Sequence, residues 1–110
     1  MDATADYTEI LTLVLRREAE TRYSLIPQLR IVASCDAESG QFLLITIGWD
    51  NRRRWVHNIL FHARILDGLI VIEADNFEEG LKAELIAAGI PGDKILTGLQ
   101  YERLQNQPAA

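Results

Sequence analysis

One cysteine in 110 residues, Cys35, excludes an internal disulfide and any metal centre built from several thiolates. The longest uncharged apolar run, residues 42–49, falls far short of the roughly 20 residues needed to cross a bilayer. The opening residues, Met1 to Asp6, are acidic and lack the basic start and apolar stretch of a secretory signal. These absences point to a cytoplasmic protein that spans no membrane. The seven glycines are scattered, so no phosphate-binding loop is formed, and no carboxylate spacing matches a calcium loop. Basic residues are in the minority: 11 Lys and Arg stand against 16 Asp and Glu, a net charge of −5. The excess sits in residues 65–110, because residues 1–64 balance at eight of each sign. Autonomous DNA binding draws its affinity from neutralised phosphates, and here only Arg52-Arg53-Arg54 forms a local basic patch.

What is present is an ordinary globular composition, 48% hydrophobic and 25% charged, in a length that suits one domain over residues 1–110. Residues 4–20 repeat Tyr7, Ile10, Leu11 and Val14 at helical spacing, with Asp2 or Thr4 as cap. Residues 24–27 break that pattern. Residues 28–36 then alternate with period two, a half-buried strand. Residues 42–49 are apolar on both faces, which predicts a central strand or one whose second face a partner covers. Residues 54–66 and 69–74 flank Asp67-Gly68, a strong two-residue hairpin signal. A helix over residues 77–88 is capped by Asp75 or Asn76, carries Glu78 and Glu79 in its first turn, and closes at Gly89 before Pro91. Residues 94–96 form a short fifth strand, and residues 100–110 read as a frayed polar tail. The expected fold is α+β: a four- to five-stranded antiparallel meander with an N-terminal and a C-terminal helix packed on one face.

Candidate chemistry is sparse. His57 and His62 lie five apart on one strand, so regular alternation puts them on opposite faces, with His57 in the apolar set of Trp55, Ile59, Phe61, Ala63 and Ile65. His57 is expected as a hydrogen-bonded core residue. Counting back from the Asp67-Gly68 turn places Ile65 opposite Ile70, Ala63 opposite Ile72 and His62 opposite Glu73. A cross-strand His62–Glu73 contact is therefore expected, without a serine or cysteine placed to serve as its nucleophile. Cys35 reads as a small buried hydrophobe. The loop between the second and third strands offers guanidinium groups at Arg52, Arg53 and Arg54, an acid at Asp50, and Trp49 and Trp55 on its flanks. Those side chains suit a partner protein or nucleic acid, or simply a solvated turn. No catalytic residue, cofactor or metal is expected, and the chain is read as a non-enzyme.

The ordered set of local features resembles the XisI family. The residues that carry it are Tyr7-Thr8-Glu9-Ile10-Leu11, an apolar strand entering Gly48-Trp49-Asp50, then His57, His62 and Asp67-Gly68. The acidic segment Asp75-Asn76-Phe77-Glu78-Glu79-Gly80 follows, then Glu84-Leu85, Ala88-Gly89-Ile90-Pro91, and Asp93 to Gly98. Leu69 and Val71 stand where the family commonly carries a basic residue and a tryptophan, and the ending after Tyr101 differs from the family's. The resemblance implies a cyanobacterial accessory factor that controls excision of a DNA element such as the fdxN element. It implies an XisH-like, nuclease-fold protein as partner, with a recombinase, XisF, cutting and rejoining the DNA. Contact with nucleic acid would then be indirect. The residues expected at a partner or DNA contact are Trp49, Asp50, Arg52, Arg53, Arg54, Trp55, His62 and Glu73. Direct DNA binding through Arg52 to Arg54, and an antitoxin-like regulator, are the alternatives. A homo-oligomer is a further expectation from the doubly apolar strand.

Overall fold

A computed structural model describes residues 3–21 and 28–106. The chain runs α1 (Ala3–Thr21), β1 (Leu29–Asp36), β2 (Gln41–Trp49), β3 (Trp55–Leu66), β4 (Leu69–Asp75), α2 (Lys82–Ala87), a 3-10 turn (Gly92–Lys94), β5 (Ile95–Thr97) and α3 (Gly98–Gln105). The five strands lie in sequence order in one sheet. β1 to β4 form the expected antiparallel meander. β5 runs parallel to β4, because the chain crosses back through α2 before it pairs, and a crossover returns a strand in the same direction.

The helical stripe of α1 supplies Tyr7, Leu11, Val14 and Leu15 to the core, against Phe42, Leu44, Phe61, Ala63 and Ile70 from the sheet. Phe77, Leu81, Leu85 and Ile90 close the same core from the α2 side. The core therefore occupies one face of the sheet. Each fully buried Leu, Ile or Phe side chain there contributes roughly 1.5–3 kcal/mol of apolar transfer.

Local chemistry explains the chain reversals. Asp67 and Gly68 both take positive φ (53° and 74°), the type I′ geometry that an aspartyl-glycine pair favours in a two-residue hairpin. Gly89 (φ 116°) ends α2: its amide donates to the Ile86 carbonyl while the Ile90 amide donates to that of Leu85, a Schellman closure.

Three expectations need correction. α2 begins at Lys82 and not at residue 77, because Gly80 adopts φ 76°, which no right-handed helix contains. Neither Asp75 nor Asn76 caps α2, whose N-cap is Leu81 without a side-chain bond and whose first-turn acid is Glu84. The Asp75 carboxylate instead ties the turn ahead of the helix, accepting from the amides of Phe77 (3.2 Å) and Leu81 (2.7 Å). The supposed frayed tail is helical as far as Gln105, started by a capping box in which Thr97 and Gln100 bond reciprocally to each other's backbone amides. Thr4 lies inside α1 and not ahead of it. Asp2, residues 24–27 and residues 107–110 lie outside the described residues.

α3 packs on β4 and β5. Its Gly98 abuts the Glu73 side chain, while Val71, fully buried, lies outside the main core. Both residues point away from Ile70 and Ile72, so α3 covers the sheet face opposite α1 and α2. The Tyr101 hydroxyl holds it there by donating to Asp67 at 2.7 Å, and that carboxylate raises the phenol above its ordinary pKa. A raised folded-state pKa means the contact stabilises fully below about pH 10 and is lost as pH rises through the shifted value. Tyrosinate absorbance, read as the difference between the native protein and Tyr101→Phe, should show Tyr101 ionising after free tyrosine. Asp67→Asn should bring it back down.

Candidate functional site

The second face of β1, β2 and β3 carries the features of interest. Strand pairing sets its rows: Asp36 with Gln41 and Arg64; Ser34 with Leu43 and His62; Val32 with Ile45 and Ile59; Arg30 with Ile47 and His57; and finally Trp49 with Trp55. Down its centre runs Leu43, Ile45, Ile47 and Trp49, flanked by Val32, Ile59 and Trp55. No described helix packs on this part of the face, since α1 and α2 lie on the other side and α3 covers only β4 and β5. Val32 and Ile59 are each 44% exposed, Trp49 47% and Trp55 57%. Single exposed apolar residues are normal on a monomer; a contiguous stripe of them marks an interaction surface.

A β-bulge builds this face. Leu44 pairs with Phe61 but Ile45 pairs with Ile59, leaving Leu60 as the extra residue. Beyond that point the alternation of β3 reverses, so Ile59, His57 and Trp55 turn away from the core that Phe61 and Ala63 enter. His57 is therefore exposed and not a core residue, and it shares a face with His62. A second bulge inserts Glu73 into β4, so His62 faces Ala74. The expected His62–Glu73 contact is not made, although Ile65–Ile70 and Ala63–Ile72 pair as counted. Glu73 instead forms an ion pair with Arg64 at 2.6 Å. His62 Nε2 lies 2.7 Å from Gln41 Oε1, a side-chain hydrogen bond across the β2–β3 pair.

The stripe ends at the β2–β3 loop. Trp49 and Trp55 meet edge to face, with centroids 5.2 Å apart at 73°. The loop closes on Asp50, whose Oδ1 accepts from the amides of Arg52 (2.9 Å) and Arg54 (2.8 Å) while Oδ2 pairs with Arg54 Nε (3.0 Å). Those bonds hold the Asp50 carboxyl below its usual pKa, the Arg54 amide contributing most. Arg54 is thus committed to the turn. Arg52 and Arg53 are exposed and form no ion pair among the described residues. Beside them, Gln28, Trp49 and Arg53 line an open hollow of about 440 Å³. Sequence reasoning therefore placed Trp49, Asp50, Arg52 to Arg54 and Trp55 in one cluster, and the structure keeps them together; His62 and Glu73 lie further along the same face.

A family model described as "XisI protein" matches residues 1–107. The chain belongs to the XisI family. Its structure resembles that of an XisI-like protein from Anabaena variabilis ATCC 29413, with TM-score 0.78 and 22% identity over 97% of this chain and 98% of that one. It also resembles the fdxN element excision controlling factor XisI from the same organism, with TM-score 0.71 and 26% identity over 89% of this chain and 87% of that one. No curated protein matches the sequence.

Within this XisI fold the remaining reactive groups are quiet. Burial pushes the Cys35 thiol up, against smaller lowering by the Thr12 hydroxyl and the Arg16 charge, so it stays protonated near neutrality. Among the described residues no three His, Cys, Asp or Glu side chains gather where they could hold a metal ion. A hollow of about 390 Å³ lies beside Glu73, but its other acids are Asp75 and Glu102, and His62 is not in its lining. No described helix is long and apolar enough to cross a membrane.

One strained residue sits at the loop. Arg53 adopts φ 59° in the five-residue loop between β2 and β3, where its amide donates to the Asp50 carbonyl at 3.0 Å, a left-handed position that glycine ordinarily fills. An arginine there costs about 1 kcal/mol relative to glycine. Arg53→Gly should therefore raise stability by about 0.5–1 kcal/mol in a urea titration. If the guanidinium serves recognition, the same variant weakens partner binding.

Proposed function

We propose that this member of the XisI family is a non-enzymatic accessory factor controlling the excision of a DNA element, and that it acts by docking an XisH-like, nuclease-fold partner on the open face of β1–β3. The apolar stripe from Leu43 to Trp49, on which none of the described helices packs, carries the reading. A stripe of this kind, ending in paired tryptophans and rimmed by Arg30, Arg52 and Arg53, has the make-up of a protein–protein interface: aromatic and arginine anchors around an apolar centre. Family membership and the similarity to an fdxN element excision controlling factor supply the process.

Direct DNA binding is the second reading, favoured by the exposed guanidinium groups of Arg52 and Arg53, which form no ion pair among the described residues. Its strength is bounded by charge. Two phosphate contacts give a salt slope near −1.8, about a tenfold loss between 50 and 200 mM salt, against roughly 10³-fold or more for six contacts. A protein of net charge −5 adds long-range repulsion.

Co-expression with the XisH-like protein of the same genome, followed by size-exclusion chromatography with light scattering, tests the proposal. A single stoichiometric complex supports it. Two separate species, each at its own mass, would overturn it, and a salt titration against DNA would then judge the second reading.

A further inference from the structure

β1 is the outer strand of the sheet, and among the described residues nothing pairs with its free edge. It is eight residues long, Leu-Arg-Ile-Val-Ala-Ser-Cys-Asp, and pairs with β2 without a register break. It has no proline, lysine or bulge, and the charges it does carry, Arg30 and Asp36, are of opposite sign and so do not repel a second copy. The opposite edge, β5, is only three residues long and runs straight into α3.

We infer that two copies of this chain join through β1, forming an antiparallel β1–β1 ladder about a two-fold axis at Ala33 and a continuous ten-stranded sheet. The hydrogen-bonding phase allows it. The Trp49 amide donates to the Gln28 carbonyl, so even-numbered residues of β1 turn their amides toward β2. Leu29, Ile31, Ala33 and Cys35 turn theirs outward. A two-fold at Ala33 pairs Ala33 with its own copy and Ile31 with the partner's Cys35 through those free groups.

The same register selects the partner. In the intervening positions, where facing side chains come closest, Val32 meets the partner's Ser34 and Arg30 meets the partner's Asp36. Both charged residues are exposed on the second face, and Arg30 forms no ion pair among the described residues. Symmetry makes the Arg30–Asp36 contact twice. Shifting the axis to Val32 would set Arg30 against Ser34 and lose both pairs. A second copy thus complements this edge in charge as well as in backbone. The helices also fit: α1 lies mainly over β1 and β2, roughly 5 Å from such an axis given strands about 4.8 Å apart, so its two copies would lie near the 8–10 Å separation of packed helices.

Light scattering across a concentration series, on the native chain, Arg30→Glu and Arg30→Glu/Asp36→Arg, tests this. The native protein should run at twice 12.4 kDa. Arg30→Glu, which sets Glu against Asp36 twice, should weaken the dimer about tenfold or more, and the charge-swapped double variant should recover it. Circular dichroism melting checks that each variant is folded. Hydrogen exchange gives a readout independent of substitution: in the dimer the amides of Ile31, Ala33 and Cys35 become protected as concentration rises. A native protein that stays monomeric to about 100 µM, well above the micromolar range of specific association, overturns the inference. So does a dimer in which those three amides exchange freely, and so does edge protection that appears only on adding an XisH-like protein.

Discussion

Ile45→Asp should abolish the proposed docking of an XisH-like protein while leaving the chain folded. Ile45 sits in the middle of the open face, between Val32 and Ile59, half-buried and outside the core cluster. In the free protein an aspartate there remains in water, so its cost is that of a poor strand former, up to about 1 kcal/mol. In a complex the carboxylate would be sealed against apolar surface without a partner, which costs several kcal/mol. The expected result is a loss of affinity of at least about 100-fold, roughly 2.7 kcal/mol, with the melting temperature lowered by only a few degrees. Leu44→Asp is the control one residue away. Leu44 is fully buried against Phe61, and a charge there should unfold the protein. If Ile45→Asp binds normally while Arg52→Ala/Arg53→Ala does not, the contact lies at the loop and not on the sheet.

This pair of neighbours also indicates how far the sequence could be read. That residues 42–49 are apolar on both sides was visible, and it allowed either a central strand or a strand whose second face a partner covers. Which side stays open, and how far the stripe extends, was not visible. Period-two counting along residues 54–66 puts Trp55, His57 and Ile59 in phase with Phe61, and so into the core. One extra residue at Leu60 reverses that phase, and nothing in an unbroken run of strand-forming residues marks a bulge in advance. The Glu73 bulge misplaced His62 in the same manner: counting from the turn is sound only until the first insertion.

The elements themselves were more legible than their ends. Turn chemistry at Asp67-Gly68 and Gly89 gave correct reversals because the backbone there needs positive φ. Gly80 carries the same requirement but sits among good helix formers, so the pattern extended α2 through it. α3 was missed because Leu99 and Leu104 are exposed and give no inward stripe. Its signal was chemical and not periodic: Thr97 followed three residues later by Gln100, a capping box. The parallel course of β5 follows from a crossover that three residues of strand cannot announce.

The glycine of Gly48-Trp49-Asp50 ties the fold to the site, and Gly48→Ala should damage both. Gly48 has φ 136°, and a Cβ placed on it would lie 1.9 Å from the Gln28 carbonyl oxygen. That same oxygen accepts the Trp49 amide at 3.1 Å. Alanine would have to displace backbone and not a flexible side chain, so the first rung of the β1–β2 ladder would break and Trp49 would lose its anchor. Strain at a disallowed φ plus the displaced strand should cost about 2–4 kcal/mol, each kcal/mol lowering the melting temperature by roughly 4–8 °C. Gly68→Ala supplies the comparison. It too has positive φ, 74°, but an added Cβ there meets nothing within 4 Å, so only the conformational cost of about 1 kcal/mol applies. Urea midpoints should rank native, then Gly68→Ala, then Gly48→Ala, and only the last should also lose edge-to-face packing of Trp49 on Trp55, visible in near-ultraviolet circular dichroism. Equal losses in the two variants would mean that the close approach at Gln28 is not what requires glycine at position 48.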